Sequence, residues 1–168
     1  MNLIVACDEK WGIGKDGKLL CYIPTDLKYF KEKTTGKVVV MGRSTLESLP
    51  KSKPLPNRTN IVLTRKKDLE VPGATVVHSI EELYETVNGY VPGDVFIMGG
   101  ASVYNELLMN CDSLYITKIY ADFDADCHIK NVDEIPQFKV VWKSEEMEEN
   151  GIRFQFFEYK RKIVKKEK

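Results

Sequence analysis

The sequence has no excess of charge of either sign and no long apolar run. Its 25 Lys and Arg residues are balanced by 25 Asp and Glu residues. A chain with zero formal net charge produces no overall field that would draw it to nucleic acid or to an anionic membrane. Residues 1–8 contain no basic segment and too short an apolar run for a signal peptide or a spanning helix. With 168 residues in all, we expect a cytoplasmic protein of about one domain, with neither nucleic acid nor membrane as a partner.

Cysteine and histidine are scarce and follow no metal-binding pattern. The two histidines, His78 and His128, do not lie at metal-ligand spacing from any cysteine. None of the four cysteines belongs to a C-x-x-C pair: Cys7, Cys21, Cys111 and Cys127. We therefore predict no metal site, and free thiols that are buried or half-buried, as in a reducing compartment.

Runs of β-branched and apolar residues recur along the chain and predict about eight strands. They cover residues 3–7, 38–41, 61–64, 74–77, 95–98, 114–119, 140–142 and 153–159. Two of them, 38–41 and 95–98, are apolar throughout, as in parallel strands buried on both faces. Helical patterns between the strands follow Pro24, cover 44–49 and 102–109, and open at the capping box of Ser79 and Glu82. This alternation predicts an α/β fold with a central, mostly parallel eight-stranded sheet and flanking helices.

The end of the chain follows a different pattern. Strands 140–142 and 153–159 are separated by a polar segment that contains Asn150-Gly151, which predicts an antiparallel hairpin at the edge of the sheet. Residues 161–168 are basic, and a short basic terminus is more often a solvated end than a nucleic-acid site. We therefore predict a single domain over residues 1–160 and a basic tail over 161–168.

Two glycine-rich segments are candidates for phosphate binding. Residues 12–17 fit the G-x-G-x-x-G pattern, but residues 18–23 separate them from the next predicted helix, so we interpret them as a surface loop. Gly99-Gly100 is better placed, because a predicted strand ends there and a helix begins. Backbone without side chains lets amide groups approach an anion, and the helix end adds partial positive charge. An ordinary strand-to-helix turn is the alternative.

Two further strand ends carry cations and hydroxyl groups. Arg43, Ser44 and Thr45 follow one predicted strand, and Thr64 with Arg65 closes another. The carboxyl ends of parallel strands meet at one edge of a sheet, where such folds bind ligands, so these ends predict a dinucleotide site. Two arginines favour a 2′-phosphorylated cofactor, although each alone is equally consistent with a solvated surface charge.

Asp26 stands out among the acidic residues. It lies in the first turn of the helix predicted after Pro24, on the same face as Phe30. Stabilisation by the helix dipole is the simpler explanation of an acid at that position. A carboxylate beside an apolar pocket loses hydration free energy unless a ligand donates hydrogen bonds to it. An amidine-like heterocycle has N–H groups that can do so. Arg58, after Pro56, is either a surface charge or a fork for a substrate carboxylate.

Taken in order, these segments resemble the dihydrofolate reductase family from Leu3 to about Tyr159. The most specific stretches are IGKDGKL at 13–19, IPTDLKYFK at 23–31, MGRST at 41–45, LPNR at 55–58, IMGGASVY at 97–104 and LYIT at 114–117. Each stretch is weak evidence alone, whereas six in register are strong.

The resemblance implies hydride transfer from NADPH to 7,8-dihydrofolate, giving 5,6,7,8-tetrahydrofolate for one-carbon metabolism. Asp26 would hold the 2-amino group and N3 side of the pterin and favour protonation at N5 through water. Thr117 would hydrogen-bond Asp26, and Leu19 would lie on a loop that closes over the nicotinamide. Arg58 would bind the glutamate carboxylate of the substrate. The remaining wall of the substrate pocket would be formed by Ala6, Leu27, Phe30, Leu49 and Leu55.

The resemblance also implies a set of cofactor-binding residues. They are Ala6, Ile13, Gly14, Leu19, Gly42, Arg43, Ser44, Thr45, Leu63, Thr64, Arg65, His78, Met98, Gly99, Gly100, Ala101, Ser102, Val103 and Tyr104. The Gly99-Gly100 peptide bond is expected to be cis. The family further implies a monomer that binds 2,4-diaminopyrimidine antifolates.

The chain departs from the family pattern at two places. Leu20-Cys21 stands where the family usually has Pro-Trp, so a small thiol, a weak donor, replaces an indole that positions a water near the pterin. Asp126 matches an acid on the loop that supports the closing loop, but Cys127 and Ile129 replace a threonine and an aromatic residue.

Two other functions stay open from the sequence. A reductase of the same fold that acts on a pyrimidine of riboflavin synthesis would share the Gly-Gly turn, but it need not place Asp26 and Arg58 in this way. A catalytically silent nucleotide-binding or interaction module on this scaffold is the second alternative.

Overall fold

Nine strands form the central sheet of the computed structural model, which describes residues 1–162. The strands along the chain are β1 (Asn2–Cys7), β2 (Gly12–Gly14), β3 (Val38–Gly42), β4 (Thr59–Leu63), β5 (Ala74–Val77), β6 (Val95–Ile97), β7 (Ser113–Ile119), β8 (Cys127–His128), β9 (Phe138–Lys143), β10 (Met147–Glu149) and β11 (Ile152–Arg161). The α-helices are α1 (Pro24–Thr34), α2 (Arg43–Ser48), α3 (Ile80–Val87) and α4 (Ala101–Leu107). Short 3₁₀ turns cover Pro50–Ser52, Pro92–Asp94, Leu108–Asn110 and Val132–Glu134.

The strand order of the main sheet is β10-β11-β7-β1-β6-β3-β4-β5, and β9 also pairs with β11. The six strands from β7 to β5 are parallel to their neighbours, whereas β11 is antiparallel to β7, β9 and β10. β10 pairs with residues 152–154 of β11 and β9 pairs with residues 157–161. The two strands thus share one position beside β11, so the nine-stranded sheet is eight strands wide. The predicted fold class, a mostly parallel eight-stranded sheet with an antiparallel edge, is confirmed.

Side chains of the central strands alternate between two helical layers. In β3, Val38 and Val40 pack in one core cluster with residues of α3 and α4, including Leu83 and Leu107. Val39 and Met41 pack in a second cluster with Leu46 of α2 and with side chains of α1. Successive residues of a strand point to opposite faces, so a run that is apolar throughout requires cover on both sides. The helices provide that cover.

The C-terminal edge contains a strand that the apolar pattern did not predict. The predicted pairing of 140–142 with 153–159 is present between β9 and β11. The tight turn at Asn150-Gly151, where φ is 54° and 77°, instead joins β10 to β11. β11 ends at Arg161, so the sheet includes the first residue of the predicted basic tail. Lys165, Lys166 and Lys168 of that tail lie outside the described residues.

Within residues 1–162, no helix is long and apolar enough to cross a membrane. The same residues hold no group of three or more His, Cys, Asp or Glu side chains that could bind a metal ion. The four cysteines are free: Cys7 and Cys111 are buried, Cys21 is half-buried and Cys127 is exposed. The expectation for Cys127 was wrong, because this thiol lies on β8, which pairs with β2 in a separate two-stranded sheet.

Candidate active site

A carboxylate and a hydroxyl group join the first helix to the central sheet. Asp26 lies in the first turn of α1, where the fixed φ of Pro24 suits the start of a helix. Thr117 lies on β7, between Ala6 of β1 and Phe156 of β11, and is 3% exposed. Its Oγ1 donates to Asp26 Oδ1 at 2.6 Å. The structure therefore brings together the two residues that the resemblance implied.

The surroundings of Asp26 favour its neutral form. Burial raises the pKa of the Asp26 carboxyl group, and the hydrogen bond from Thr117 opposes that rise. Asp26 forms no ion pair with any residue in the described part of the chain. A desolvated carboxylate with a single protein donor is matched by a ligand that presents N–H groups.

The residues of the predicted apolar wall divide between two core clusters and one exposed position. Phe30, Leu49 and Leu55 are partly buried and pack against one core cluster, the one that contains Val39. Ala6 packs in another cluster, which includes Phe156. The remaining predicted wall residue, Leu27, is 40% exposed. Leu27 follows Asp26 directly in the first turn of α1.

Cys21 lies at the position where the resemblance to the family leads us to expect an indole. It is half-buried and packs with Ile23 and Phe156. Burial raises the pKa of its thiol, and the Asp26 carboxylate raises it further. Cys21 is thus a neutral, weakly polar group within electrostatic reach of Asp26.

Arg58 is held at the other end of α1. Its Nε donates to Thr34 Oγ1 at 2.9 Å, and its Nη1 donates to Pro56 O at 3.0 Å. The guanidinium carbon lies 5.8 Å from the centroid of the Phe30 ring. Nη2 has no hydrogen-bond partner and Arg58 has no carboxylate partner among residues 1–162. Partial burial lowers the pKa of this guanidinium, and a ligand carboxylate would compensate the charge.

The carboxyl ends of the parallel strands meet at one edge, as the sequence predicted. Gly42 pairs with Leu63 in the sheet, and Leu63 pairs with Val77, so the residues that follow them lie side by side. The N–H of Thr64 donates to Val77 O at 3.0 Å, and His78 Nδ1 lies 3.1 Å from Thr64 O. The ends of β3, β4 and β5 therefore form a continuous strip of backbone and polar groups.

The Gly-Gly turn extends this strip to β6. The N–H of Gly42 donates to Gly99 O at 2.8 Å, and the Gly99-Gly100 peptide bond is cis, as expected. Gly99 has φ of 137°, and a Cβ at this position would lie 2.9 Å from Thr45 Oγ1. Only glycine fits there, so the turn presents backbone atoms at a place where any other residue would put a side chain. That open backbone suits a phosphate-bearing ligand.

The charged and buried members of the predicted cofactor set differ in their environments. Arg43 Nε pairs with Glu47 Oε1 at 2.8 Å, whereas Arg65 has no ion pair within residues 1–162. Val103 and Tyr104 are 6% and 5% exposed, and the Tyr104 hydroxyl donates to Ile4 O at 2.7 Å. The structure places these last two side chains in the core. Five further members lie along the same strand ends, either half-buried or exposed: Ser44, Leu63, Met98, Ala101 and Ser102.

The glycine-rich segment 12–17 does not open a helix, but its interpretation as a surface loop is wrong for residues 12–14, which form a strand. Gly12 and Gly14 belong to β2, which pairs with β8. The N–H of Asp16 donates to Asp126 Oδ2 at 2.9 Å, so this acid does contact the loop that precedes Leu19. Ile13 packs against the core, but Leu19 is 71% exposed and belongs to none of the core clusters. The structure therefore leaves Leu19 on the surface.

Sequence reasoning missed Asp8, which fixes the base of that loop. Asp8 is 4% exposed, and its Oδ1 accepts the N–H groups of Lys10 and Gly12 at 2.9 and 2.8 Å. Its Oδ2 accepts the N–H of Phe123 at 3.2 Å. An Asp that follows a strand and accepts a hydrogen bond from the backbone two residues later is typical of an Asx turn. The position of Asp8 directly after the first predicted strand was the signal that could have identified it.

Comparisons with known proteins identify the family of the chain. The family model described as dihydrofolate reductase matches residues 1–161. A dihydrofolate reductase of Bacillus subtilis (strain 168) is 39% identical over 164 residues, which cover 96% of this chain and 95% of that protein. A dihydrofolate reductase of Staphylococcus aureus is 42% identical over 126 residues, or 75% of each chain.

A solved structure is similar over nearly the same span. The dihydrofolate reductase from Enterococcus faecalis, complexed with NADP(H) and RAB-propyl, superposes with a TM-score of 0.86 and 36% identity. The match covers 95% of both chains. On the combined evidence of family model, relatives and structure, the chain belongs to the dihydrofolate reductase family.

Proposed function

We propose that the protein reduces 7,8-dihydrofolate to 5,6,7,8-tetrahydrofolate with NADPH, and that Asp26 orients the substrate. The observation that carries this proposal is the desolvated Asp26 carboxylate, which has Thr117 as its protein donor at 2.6 Å. Family membership supports the same reaction.

Asp26 recognises the pterin through its hydrogen-bonding edge. The 2-amino group and the N3 side of the ring present neighbouring N–H donors, which a carboxylate accepts together. Thr117 holds Oδ1 and so limits rotation of the carboxylate. A ring that is fixed at this edge keeps C6 and N5 in one orientation for the reaction. Asp26 favours protonation at N5. Because it binds the opposite part of the ring, the proton reaches N5 through water and does not come from the carboxyl group directly.

The rest of the substrate site follows from α1 and the segment after α2. Phe30, Leu49 and Leu55 form an apolar wall for the ring system of the substrate. Ala6 and Leu27 complete this wall next to Asp26. Arg58 then binds the glutamate carboxylate, since its Nη2 has no acceptor among the described residues and its position is fixed by Thr34 and Pro56.

The strip along the strand ends holds the cofactor. The Gly99-Gly100 turn has no side chains that would keep a phosphate group away from its amide groups, and Gly42 and Thr45 lie next to this turn. When bound, NADPH supplies the hydride for C6 of the substrate. Arg65 and Arg43 hold the 2′-phosphate, and Arg65 is free of any ion pair within the described range for this role. Segment 13–19 closes over the nicotinamide, with Leu19 at its end.

We further infer that one chain of this protein is sufficient for activity, as a cytoplasmic monomer whose ligands are small molecules. All the residues assigned above come from a single chain, and its four thiols are free. A formal net charge of zero gives no support to nucleic acid as a partner. The catalytic domain is proposed to end with the sheet, so the basic residues that follow take no part in the reaction.

Absorbance at 340 nm tests the proposal, with NADPH and NADH run in parallel. The wild type should consume NADPH only when dihydrofolate is present. Asp26→Asn should lower kcat/KM by on the order of 100-fold or more. Asp68→Asn is the matched control, because Asp68 is exposed and its side chain has no hydrogen bond or ion pair with the described residues; it should leave the rate unchanged.

Three outcomes contradict parts of the proposal. No dihydrofolate-dependent loss of absorbance would refute the reaction. Full activity of Asp26→Asn would refute the role of the carboxylate. Failure to bind a 2,4-diaminopyrimidine, measured by titration calorimetry, would favour the reductase of riboflavin synthesis instead.

A further inference from the structure

The first turn of α1, which carries Asp26, receives no cap from its own segment. The N-cap residue is Ile23, whose side chain has no acceptor, and the next residue is Pro24, which has no N–H. The N–H groups of Asp26 and Leu27 both donate to Ile23 O, at 3.0 and 3.1 Å. The N–H of Thr25 therefore depends on an acceptor from elsewhere in the molecule.

That acceptor is Glu149, on β10 of the C-terminal edge. Its Oε1 accepts the N–H of Thr25 at 3.0 Å, and its Oε2 accepts the Thr25 hydroxyl group. Each carboxylate oxygen thus holds one donor of the residue directly before Asp26. These two hydrogen bonds lower the pKa of Glu149, so the group is ionised at neutral pH, and negative charge is favoured at a helix N-terminus.

The same part of α1 is held by two other contacts from neighbouring strands. Tyr29 stacks on Phe156 of β11 with ring centroids 4.1 Å apart and an angle of 12° between the planes. Asp26 itself meets Thr117 of β7. Phe156 and Thr117 are buried, whereas Glu149 holds the turn from the margin of the sheet. Together the three contacts fix the helix start against β7, β11 and β10.

We propose that Glu149 is a positioning residue for Asp26: by holding both donors of Thr25, it keeps the first turn of α1 at the depth where the Asp26 carboxylate is desolvated and reaches Thr117. This inference rests on the proposed role of Asp26 in substrate binding. It adds a residue from the C-terminal hairpin, far from the other assigned residues in sequence, to the determinants of the site.

Release of Thr25 has a measurable consequence at Asp26. Without Glu149 the first turn keeps only the contacts with Phe156 and Thr117, so we expect it to move outward and to admit more water to the carboxylate. Burial is the largest cause of the raised pKa of Asp26, so its loss lowers that pKa toward the ordinary value of a carboxyl group. The nearby titratable groups Cys21, Tyr29 and Tyr104 have raised pKa values and remain neutral through this range. Glu149 is ionised, and loss of its charge also lowers the pKa of Asp26. Glu149→Gln removes the same charge but keeps an acceptor, so only a larger fall in Glu149→Ala than in Glu149→Gln reports the movement of the turn.

The test compares Glu149→Ala with the wild type by three measurements. The pKa of Asp26 is read from the ¹³C shift of its carboxyl carbon in the ligand-free protein, KM and kcat are measured with dihydrofolate, and Tm is recorded. We expect the pKa of Asp26 to fall and KM to rise by about threefold to tenfold, the size of one or two lost hydrogen bonds. Glu149→Gln keeps an oxygen acceptor for the Thr25 N–H and should return KM to within about twofold of the wild type.

Thr25→Val removes only the hydroxyl contact and should give a smaller change of the same sign. In the Glu149→Ala background it should add nothing, because the partner is already gone. Glu148→Ala is the matched control: Glu148 precedes Glu149 on β10, is exposed, and makes no side-chain hydrogen bond or ion pair with the described residues. It should change neither the pKa of Asp26 nor KM.

Unchanged pKa and KM in Glu149→Ala, with a lower Tm, would overturn the proposal and leave Glu149 a purely structural residue. If Glu149→Ala does not fold, Glu149→Gln and Thr25→Val decide the question by the same two measurements. The carboxyl titration needs no substrate. If Glu149→Ala shifts the pKa of Asp26 but the wild type does not reduce dihydrofolate, the proposed function is refuted and the positioning role stands. If the wild type reduces dihydrofolate but Glu149→Ala leaves the pKa and KM unchanged, the function stands and the positioning role is refuted.

Discussion

At the scale of single residues, Asp26 couples function to stability. Its pKa is raised in the folded protein, whereas the unfolded chain has an ordinary carboxyl group. Between these two pKa values the folded state binds more protons than the unfolded state, so stability falls as the pH rises through that window. The carboxylate that we propose binds substrate therefore lowers the free energy of unfolding at neutral pH.

Asp26→Asn should consequently raise Tm at neutral pH while it removes activity. Asn keeps an oxygen acceptor for Thr117 but carries no charge to desolvate. The difference in Tm between the variant and the wild type should shrink as the pH is lowered from about 8 to about 3, because Asp26 then becomes protonated in both states. Calorimetric scans across that range measure this difference. A difference that grows on acidification would contradict the raised pKa.

Arg65 and Arg43 should contribute unequally to cofactor choice. Arg43 is already paired with Glu47, whereas Arg65 has no ion pair within residues 1–162. Arg65→Gln should raise KM for NADPH by about tenfold to 100-fold, the range for a lost hydrogen bond to a charged group, with KM for NADH nearly constant. Lys66→Gln, which removes a neighbouring exposed charge, is the control for a general electrostatic effect. Equal losses with both cofactors would place the 2′-phosphate elsewhere.

At the scale of elements, the Gly99 turn joins β6 to α4 and borders β3. A Cβ here meets Thr45 Oγ1 at 2.9 Å, and φ of 137° disfavours any other residue. Gly99→Ala should lower the free energy of unfolding by about 1 to 3 kcal/mol and weaken NADPH binding by more than about tenfold. Urea denaturation and fluorescence titration measure the two effects. Gly89→Ala, at a site with open space around the added Cβ, should change neither.

The elements that the sequence predicted are those with a repeated apolar signal. Val38–Gly42 and Ser113–Ile119 are buried strands, and their β-branched residues located them. β2, β8 and β10 span three, two and three residues, too short for an alternating pattern to develop. Their pairing depends on the turns and on partners brought near by the rest of the fold.

The residues of the candidate site also divide into those with a sequence signal and those without one. The resemblance supplied Asp26 and Thr117, which the structure joins across 91 residues of sequence. Glu149 has no sequence motif, and its contact with Thr25 spans 124 residues. The available signal was negative: a helix that begins after Ile23 and Pro24 has no local cap, so its first turn needs an acceptor from another element.

At the scale of the whole molecule, the sheet brings two kinds of ligand group to one edge. The ends of β3, β4, β5 and β6 form the proposed cofactor strip, whereas Asp26 reaches the sheet at β7. β1 lies between β7 and β6, so the substrate and cofactor regions meet across this strand. The two ligands would therefore bind to adjacent sets of residues, which share Ala6 but differ in Asp26 and in the Gly99 turn.

This separation should appear in the stability of the whole protein. A ligand present at about 100 times its Kd stabilises the folded state by about 2.7 kcal/mol, which raises Tm by about 5 to 10 °C in a chain of this size. Asp26→Asn should keep the rise in Tm caused by NADPH and lose most of the rise caused by a 2,4-diaminopyrimidine, since only the second ligand donates to the carboxylate. Gly99→Ala should show the reverse, and both variants can be scanned by calorimetry with each ligand. Loss of both shifts in both variants would mean that the two sets of residues form one inseparable site, contrary to the assignment made from the strand order.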